Sequence, residues 1–171
     1  MANHTGVITN IRVEPVRIPT VSNLARFTQA NTVVAPIVVV EKDTRAARID
    51  AYFARFSLPL TGYGAQFVAV ADKYNLDWRL LPAIGMRETT GGKFACHNNP
   101  FGWGSCKIKF TSFANAIDHV GMHLGGEHIN TDQYYKNRTS EEKLHYYNGT
   151  VIKTYVREVV KIMDRIEIQE I

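Results

Sequence analysis

The stretch Leu80-Leu-Pro-Ala-Ile-Gly-Met-Arg-Glu88-Thr-Thr-Gly-Gly92 decides how this chain is read. Leu80, Leu81 and Ile84 keep helical spacing after Asp77, and Gly91-Gly92 supplies the left-handed backbone that ends a helix without steric cost. Pro82 is compatible with the helix because it falls near the first turn, where a missing N–H breaks no bond. Glu88 therefore closes an apolar helix and opens onto a glycine-rich loop. A carboxyl so placed has one side against the core and one toward the loop. Partial desolvation favours the protonated form that a general acid uses. The plainer reading of the same residue is a solvated glutamate at a helix end.

On the N-terminal side, Ile49, Tyr52, Phe53 and Phe56 follow an i, i+3, i+4, i+7 pattern after Asp43 or Thr44 as cap, and Pro59 with Gly62 ends the element. A second helix carries Phe67, Val70, Ala71 and Tyr74. Residues 1–43 differ: Ile8, Ile11, Val13, Val16, Ile18 and Val21 alternate loosely and are broken by Pro15 and Pro19, the pattern of edge strands or an extended arm. On the C-terminal side, residues 93–111 combine glycine, asparagine and aromatics, with Lys107-Ile-Lys-Phe110 alternating like a short strand. Helical patterning returns at Ser112, with Phe113, Ala116, Ile117, Val120 and Leu124 on one face. Thr139-Ser-Glu-Glu142 reads as a capping box for a short helix ending near Asn148-Gly149. Ile152, Tyr155, Val156, Val159, Met163 and Ile166 form the apolar stripe of a last helix. The expected architecture is mainly α (α+β): a helical domain over 44–171 with a small β lobe, preceded by an extended N-terminal arm or linker over 1–43.

The 171 residues, 45% of them hydrophobic and 21% charged, suffice for one domain with a core of its own. The longest apolar run, Val33–Val40, contains Pro36 and is far shorter than the ~20 residues that cross a bilayer, so no transmembrane segment is expected. Lys and Arg number 20 against 16 Asp and Glu, a net charge of +4 without a basic run. Nucleic acid is therefore not indicated as a partner, whereas a mild positive charge attracts polyanions generally, bacterial wall polymers among them. Met1-Ala-Asn-His4 lacks the basic and apolar regions of a signal peptide.

Cys96 and Cys106, the only cysteines, bracket Asn98-Asn-Pro-Phe-Gly-Trp-Gly104. Bonded, they would pin the loop that faces Glu88 and imply an oxidising compartment. The alternatives are two free thiols, or a metal site of Cys96, His97 and Cys106 that lacks a fourth ligand and the close cysteine pair of zinc sites. His119 and His123 stand at i, i+4, the spacing of paired metal ligands, but no glutamate lies between them as in zinc peptidases. They read as surface or interhelical histidines, and neither metal nor cofactor is expected. Phe94, Phe101 and Trp103, with Tyr134, Tyr135, Tyr146 and Tyr147 further on, suit stacking on sugar rings, while Asn98 and Asn99 suit bonding to N-acetyl and hydroxyl groups. Phe94 and Phe101 read equally well as core. Trp103, between two glycines, reads as exposed for binding.

Glu88-Thr89 after a hydrophobic helix, the Asn98–Gly104 segment, Tyr146-Tyr-Asn-Gly149, and a terminal amphipathic helix with Tyr155 and Val159 together resemble the lysozyme-like superfamily of peptidoglycan-cleaving enzymes. The resemblance spans residues 45–168. Its nearest branches are the lytic transglycosylases, to which Tyr147-Asn-Gly149 is similar, and the endo-β-N-acetylglucosaminidase domains, to which Asn99-Pro-Phe-Gly102 is similar. It implies a lysozyme-like fold working outside the cytoplasm on the β-1,4 bonds of peptidoglycan glycan strands. It further implies Glu88 as the catalytic acid with Tyr147 near it, and Thr89, Asn98, Asn99, Phe101, Trp103 and Tyr134 toward the substrate. Thr89 stands where transglycosylases usually carry Ser, and their Gly-Leu-Met-Gln segment is absent.

From Thr89 to Ile117 there is no Asp or Glu. Glycosidases with two carboxylates hold the second about 5–9.5 Å from the acid, usually on the facing lobe, and here Asp118, Glu127 and Asp132 lie beyond that lobe and reach back only if the fold brings them round. A single carboxylate suits chemistry in which the substrate's own N-acetyl group stabilises the oxocarbenium-like centre. The expectation is a lytic transglycosylase whose Glu88 first protonates the glycosidic oxygen and then deprotonates the C6 hydroxyl, leaving a 1,6-anhydro end. A hydrolytic N-acetylglucosaminidase or lysozyme, and a non-catalytic glycan-binding domain, are the alternatives.

Overall fold

The computed structural model describes residues 42–171, so the arm expected over 1–43 lies outside the described residues up to position 41. Among the described residues the chain is helical: α1 (Arg45–Ala54), α2 (Gly64–Lys73), α3 (Leu80–Thr89), α4 (Phe113–Gly125), α5 (Asp132–Tyr135), α6 (Ser140–Leu144) and α7 (Tyr155–Glu167). None of these helices is long and apolar enough to cross a membrane.

α1 turns Ile49, Tyr52 and Phe53 inward, while Phe56 lies past its end and is half exposed. Thr44 takes the N-cap position but its hydroxyl accepts from the Arg48 side chain at 3.3 Å and caps no backbone N–H, and Asp43 accepts the Arg45 backbone N–H at 3.0 Å instead. α2 begins hard against α1, held there by Asp50, which accepts the backbone N–H groups of Gly62 and Gly64 at 2.8 Å each. α3 is buried from Leu80 to Gly85 and packs on α7 and α2. It opens at Leu80, later than the expected Asp77, because the Asp77 carboxylate takes the Arg79 N–H at 2.9 Å and holds the chain in a turn. It also ends earlier than the glycine pair: Thr90 is already left-handed at φ 53, followed by Gly91 at 59 and Gly92 at 88. Gly91 has a further reason to be glycine, since a β-carbon there would lie 2.8 Å from Leu58 Cδ1.

α4 starts at the expected cap, with Ser112 Oγ accepting the Asn115 N–H at 3.1 Å. The Thr139–Glu142 capping box is formed in full at α6, which runs on into a π-helical turn over His145–Gly149. α7 presents Tyr155, Val159, Met163 and Ile166 to the core at i, i+4, i+8 and i+11, four of the six residues in the expected stripe, while Val156 is half-buried and Ile152 lies before the helix.

The expected β element does not form. Residues 107–110 are irregular, and the loop's single antiparallel bridge joins Cys96 to Asn99. The in-out alternation is real, with Phe110 buried and Lys107 and Lys109 exposed. Among the described residues no neighbouring strand accepts it: Phe110 donates its N–H to the His97 carbonyl and accepts from the Asn98 amide, so its backbone is satisfied within the loop. Cys96 and Cys106 are joined in a disulfide with Cα atoms 6.0 Å apart, which excludes both the free-thiol and the cysteine–metal readings.

Candidate active site

Glu88, half-buried on the last turn of α3, lines a cleft of about 510 Å³ together with Trp103, His123, Thr131, Tyr147 and Asn148. Its two carboxylate oxygens have different surroundings. Oε1 accepts a 2.7 Å hydrogen bond from the hydroxyl of Tyr155, the fully buried first residue of α7. Burial, then the neighbouring Tyr147 and Glu88, push the Tyr155 phenol far above its usual range, so it stays a donor. Oε2 lies beside Gly102, left-handed at φ 61, where even a β-carbon would sit 3.7 Å away in ordinary contact, and it accepts no hydrogen bond among the described residues. Behind the pair, Arg87 lies 5.7 Å over the Tyr155 ring and donates to Glu158 at 2.7 Å, so α3 and α7 are also joined by an ion pair.

The π-helical turn brings Tyr147 onto Tyr155 with ring centroids 6.0 Å apart and planes within 6°. The Tyr147 hydroxyl donates to the Phe101 carbonyl at 2.6 Å, tying this turn to the disulfide loop. Trp103 packs between Tyr147 at 5.7 Å and His123 at 5.0 Å, so it forms a half-buried aromatic wall and does not stand free in solvent as its flanking glycines suggest.

Several residues expected toward the substrate serve the loop instead. Thr89 is buried; its hydroxyl donates to the Pro100 carbonyl at 2.7 Å and accepts the Gly92 N–H at 3.1 Å. Asn99 is fully buried and clamps the Trp103 backbone, accepting its N–H at 3.0 Å and donating to its carbonyl at 2.8 Å. Asn98 donates to Phe110, as above, and Phe101 contributes to the cleft from a position in the core. Tyr134 packs at 5.7 Å against Tyr146 and does not line the cleft.

The distant carboxylates do not fold back either. Asp118 pairs with Lys73 at 2.8 Å, Glu127 lines a separate basic hollow, and Asp132 accepts the Gln133 N–H at the start of α5. Among the described residues lining the cleft, Glu88 is the only carboxylate. A hollow of similar size, about 550 Å³, is lined by Arg55, Phe56, Arg165 and Glu170 and contains none of the expected site residues. Among the described residues no group of three or more His, Cys, Asp or Glu is placed to hold a metal ion.

Sequence reading missed two contributors. Tyr155 showed as part of an apolar stripe and of the terminal helix in the resemblance, with no role at Glu88. His123 passed for a surface or interhelical residue, yet it is buried and lines the cleft. Its signal was available: Ala116, Val120 and His123 stand at i, i+4 and i+7 on the inward face of α4. No family model, curated protein or solved structure matches the chain.

Proposed function

We propose that the chain cleaves β-1,4 glycosidic bonds of peptidoglycan as a lytic transglycosylase, outside the cytoplasm, with Glu88 as its acid and base. The observation that carries this reading is a carboxylate that is the only one among the described residues lining an aromatic-walled cleft, with one oxygen held by a buried tyrosine and the other beside Gly102. The intramolecular disulfide is compatible with an oxidising compartment.

In the first step the Glu88 carboxyl proton passes to the glycosidic oxygen as the C1–O bond breaks, and the acetamido carbonyl oxygen of the same sugar bonds to C1. In the second, the Glu88 carboxylate takes the C6 hydroxyl proton, the C6 oxygen bonds to C1, and the acetamido oxygen leaves. Glu88 ends protonated as it began, and no water is consumed. With no second carboxylate among the described residues lining the cleft to activate water or form an ester, both nucleophiles come from the substrate, where their intramolecular placement gives a large effective concentration.

Purified peptidoglycan digested with the protein should yield non-reducing 1,6-anhydro muropeptides, identified by mass spectrometry. Reducing ends would replace this reading with hydrolysis, in which water intercepts the acetamido intermediate. A protein that binds the strands and cleaves none would be a glycan-binding domain.

A further inference from the structure

We infer that His123 is the substrate-positioning acceptor of this cleft: one of its ring nitrogens takes the acetamido N–H of the sugar whose C1 is attacked. The inference rests on the transglycosylase reading and adds the group which that chemistry still needs. An acetamido oxygen attacks C1 only when the amide is turned under the ring, and positive charge develops on the amide as the bond forms. A fixed acceptor on the N–H meets both demands, since it aligns the nucleophile and stabilises that charge. Glu88 is occupied with the glycosidic oxygen and with Tyr155, so the acceptor must be another group.

The cleft's remaining polar side chains are Ser105, His123, Thr131, Tyr147 and Asn148. The Tyr147 hydroxyl is spent on Phe101, and Ser105 is exposed on the loop surface. Asn148 is half-buried on the π-helical turn with no side-chain hydrogen bond to fix it among the described residues. His123 alone is buried and immobilised from several sides. Its ring stacks on His128 at 4.1 Å, lies 4.7 Å from His119 and 5.0 Å from Trp103, and its Nδ1 is 2.8 Å from Thr131 Oγ1.

The Thr131 bond also accommodates the required tautomer. Thr131 Oγ1 can accept from His123 Nδ1–H at 2.8 Å while its own hydrogen turns toward the His128 carbonyl at 3.4 Å, and the tautomer so held has its Nε2 lone pair free, the form the inference assigns to the ring. The ring is also kept uncharged. Burial foremost, then His128 and His119, bring the His123 pKa down to about 4. A neutral imidazole of this tautomer is the acceptor that an amide N–H requires.

The test compares purified peptidoglycan strands with the same strands chemically de-N-acetylated, using the full chain and its His123→Phe and His123→Gln variants. Phenylalanine keeps the ring and removes the acceptor; glutamine places an amide oxygen where Nε2 stands. On N-acetylated strands His123→Phe should lose about a hundredfold in kcat/KM, mostly in kcat, and His123→Gln should recover at least about tenfold of that. On de-N-acetylated strands the native protein should be slow and His123→Phe no slower. His123→Phe acting within about threefold of the native protein, or losing the same factor on both substrates, overturns the inference while leaving Glu88 its role. If His123→Phe fails to fold, His123→Gln decides: more than about a tenfold loss despite a native melting temperature overturns it. A native protein that cleaves neither substrate removes the transglycosylase reading and this inference with it.

Discussion

Glu88 divides its oxygens between a buried donor and an open cleft, and that division makes two substitutions informative. Glu88→Gln keeps the shape and can still accept from Tyr155, but it has no proton to give. Cleavage should fall by more than about 10³-fold, while the melting temperature holds or rises because an amide is cheaper to half-bury than a carboxylate. Retained cleavage of peptidoglycan would take Glu88 out of the reaction. Tyr155→Phe removes the donor and leaves Oε1 unpartnered in a half-buried site. It should cost about 1–2 kcal/mol in urea unfolding and slow cleavage by about tenfold or more, through a carboxylate that no longer holds one orientation. An unchanged rate would reduce Tyr155 to packing. Glu88 was readable as a candidate because its cues are local, an apolar helix and a glycine pair within a few residues. Its partner was not, because Tyr155 stands 67 residues away and earns its burial equally well as part of a stripe. Thr90 adds a residue-scale cost that no pattern announces: a β-branched side chain at φ 53, two positions from the acid, in a conformation such residues rarely adopt.

At the scale of elements, helices announced themselves wherever burial follows a 3.6-residue period, as in α1, α4 and α7, and wherever a cap is chemical, as at Ser112 and Thr139. The loop between α3 and α4 resisted the same reading. Its alternation at 107–110 marks which side chains go inward but says nothing of whether a strand exists to pair with, and its asparagines, suited by type to sugars, are consumed by the loop's own backbone. That loop is also where covalent chemistry takes over from packing. The disulfide closes it around Gly102 and Trp103, the residues that shape the cleft beside Glu88. Reduction should lower stability by about 2–3 kcal/mol and depress cleavage as the wall loosens. The denatured protein should titrate no thiol before reductant and two after. Full stability and activity in the reduced form would mean that the internal hydrogen bonds alone hold the loop.

For the molecule as a whole, His123 in the cleft and His119 packed beside it tie stability to pH. His123 has its pKa brought down to about 4 by burial first and then by His128 and His119; His119 is lowered as well, again by burial first and then by His128, against the opposing pull of Asp118. In the unfolded chain both rings titrate near the ordinary value of about 6.5. Between that value and about 4, the unfolded state therefore binds protons that the folded state refuses, and stability falls as pH falls through this window. The contribution from His123 is at most about 3 kcal/mol, fully present above the ordinary histidine range. Carboxylates continue the trend at lower pH. Glu158, held down by the Thr154 hydroxyl and then by Arg87, and Glu142, held down by the Thr139 N–H, each stabilise the fold above the usual carboxylate range and lose that contribution as they protonate. Urea unfolding followed from pH 7.5 to 4.5 should show the midpoint dropping steadily below about 6.5. In His123→Phe most of that slope should be gone, because its ring has no proton to take up in either state. A flat profile in the native protein, or an equal slope in the variant, would show that burial does not keep His123 uncharged in this range, and would remove the neutral imidazole that the proposed substrate positioning requires.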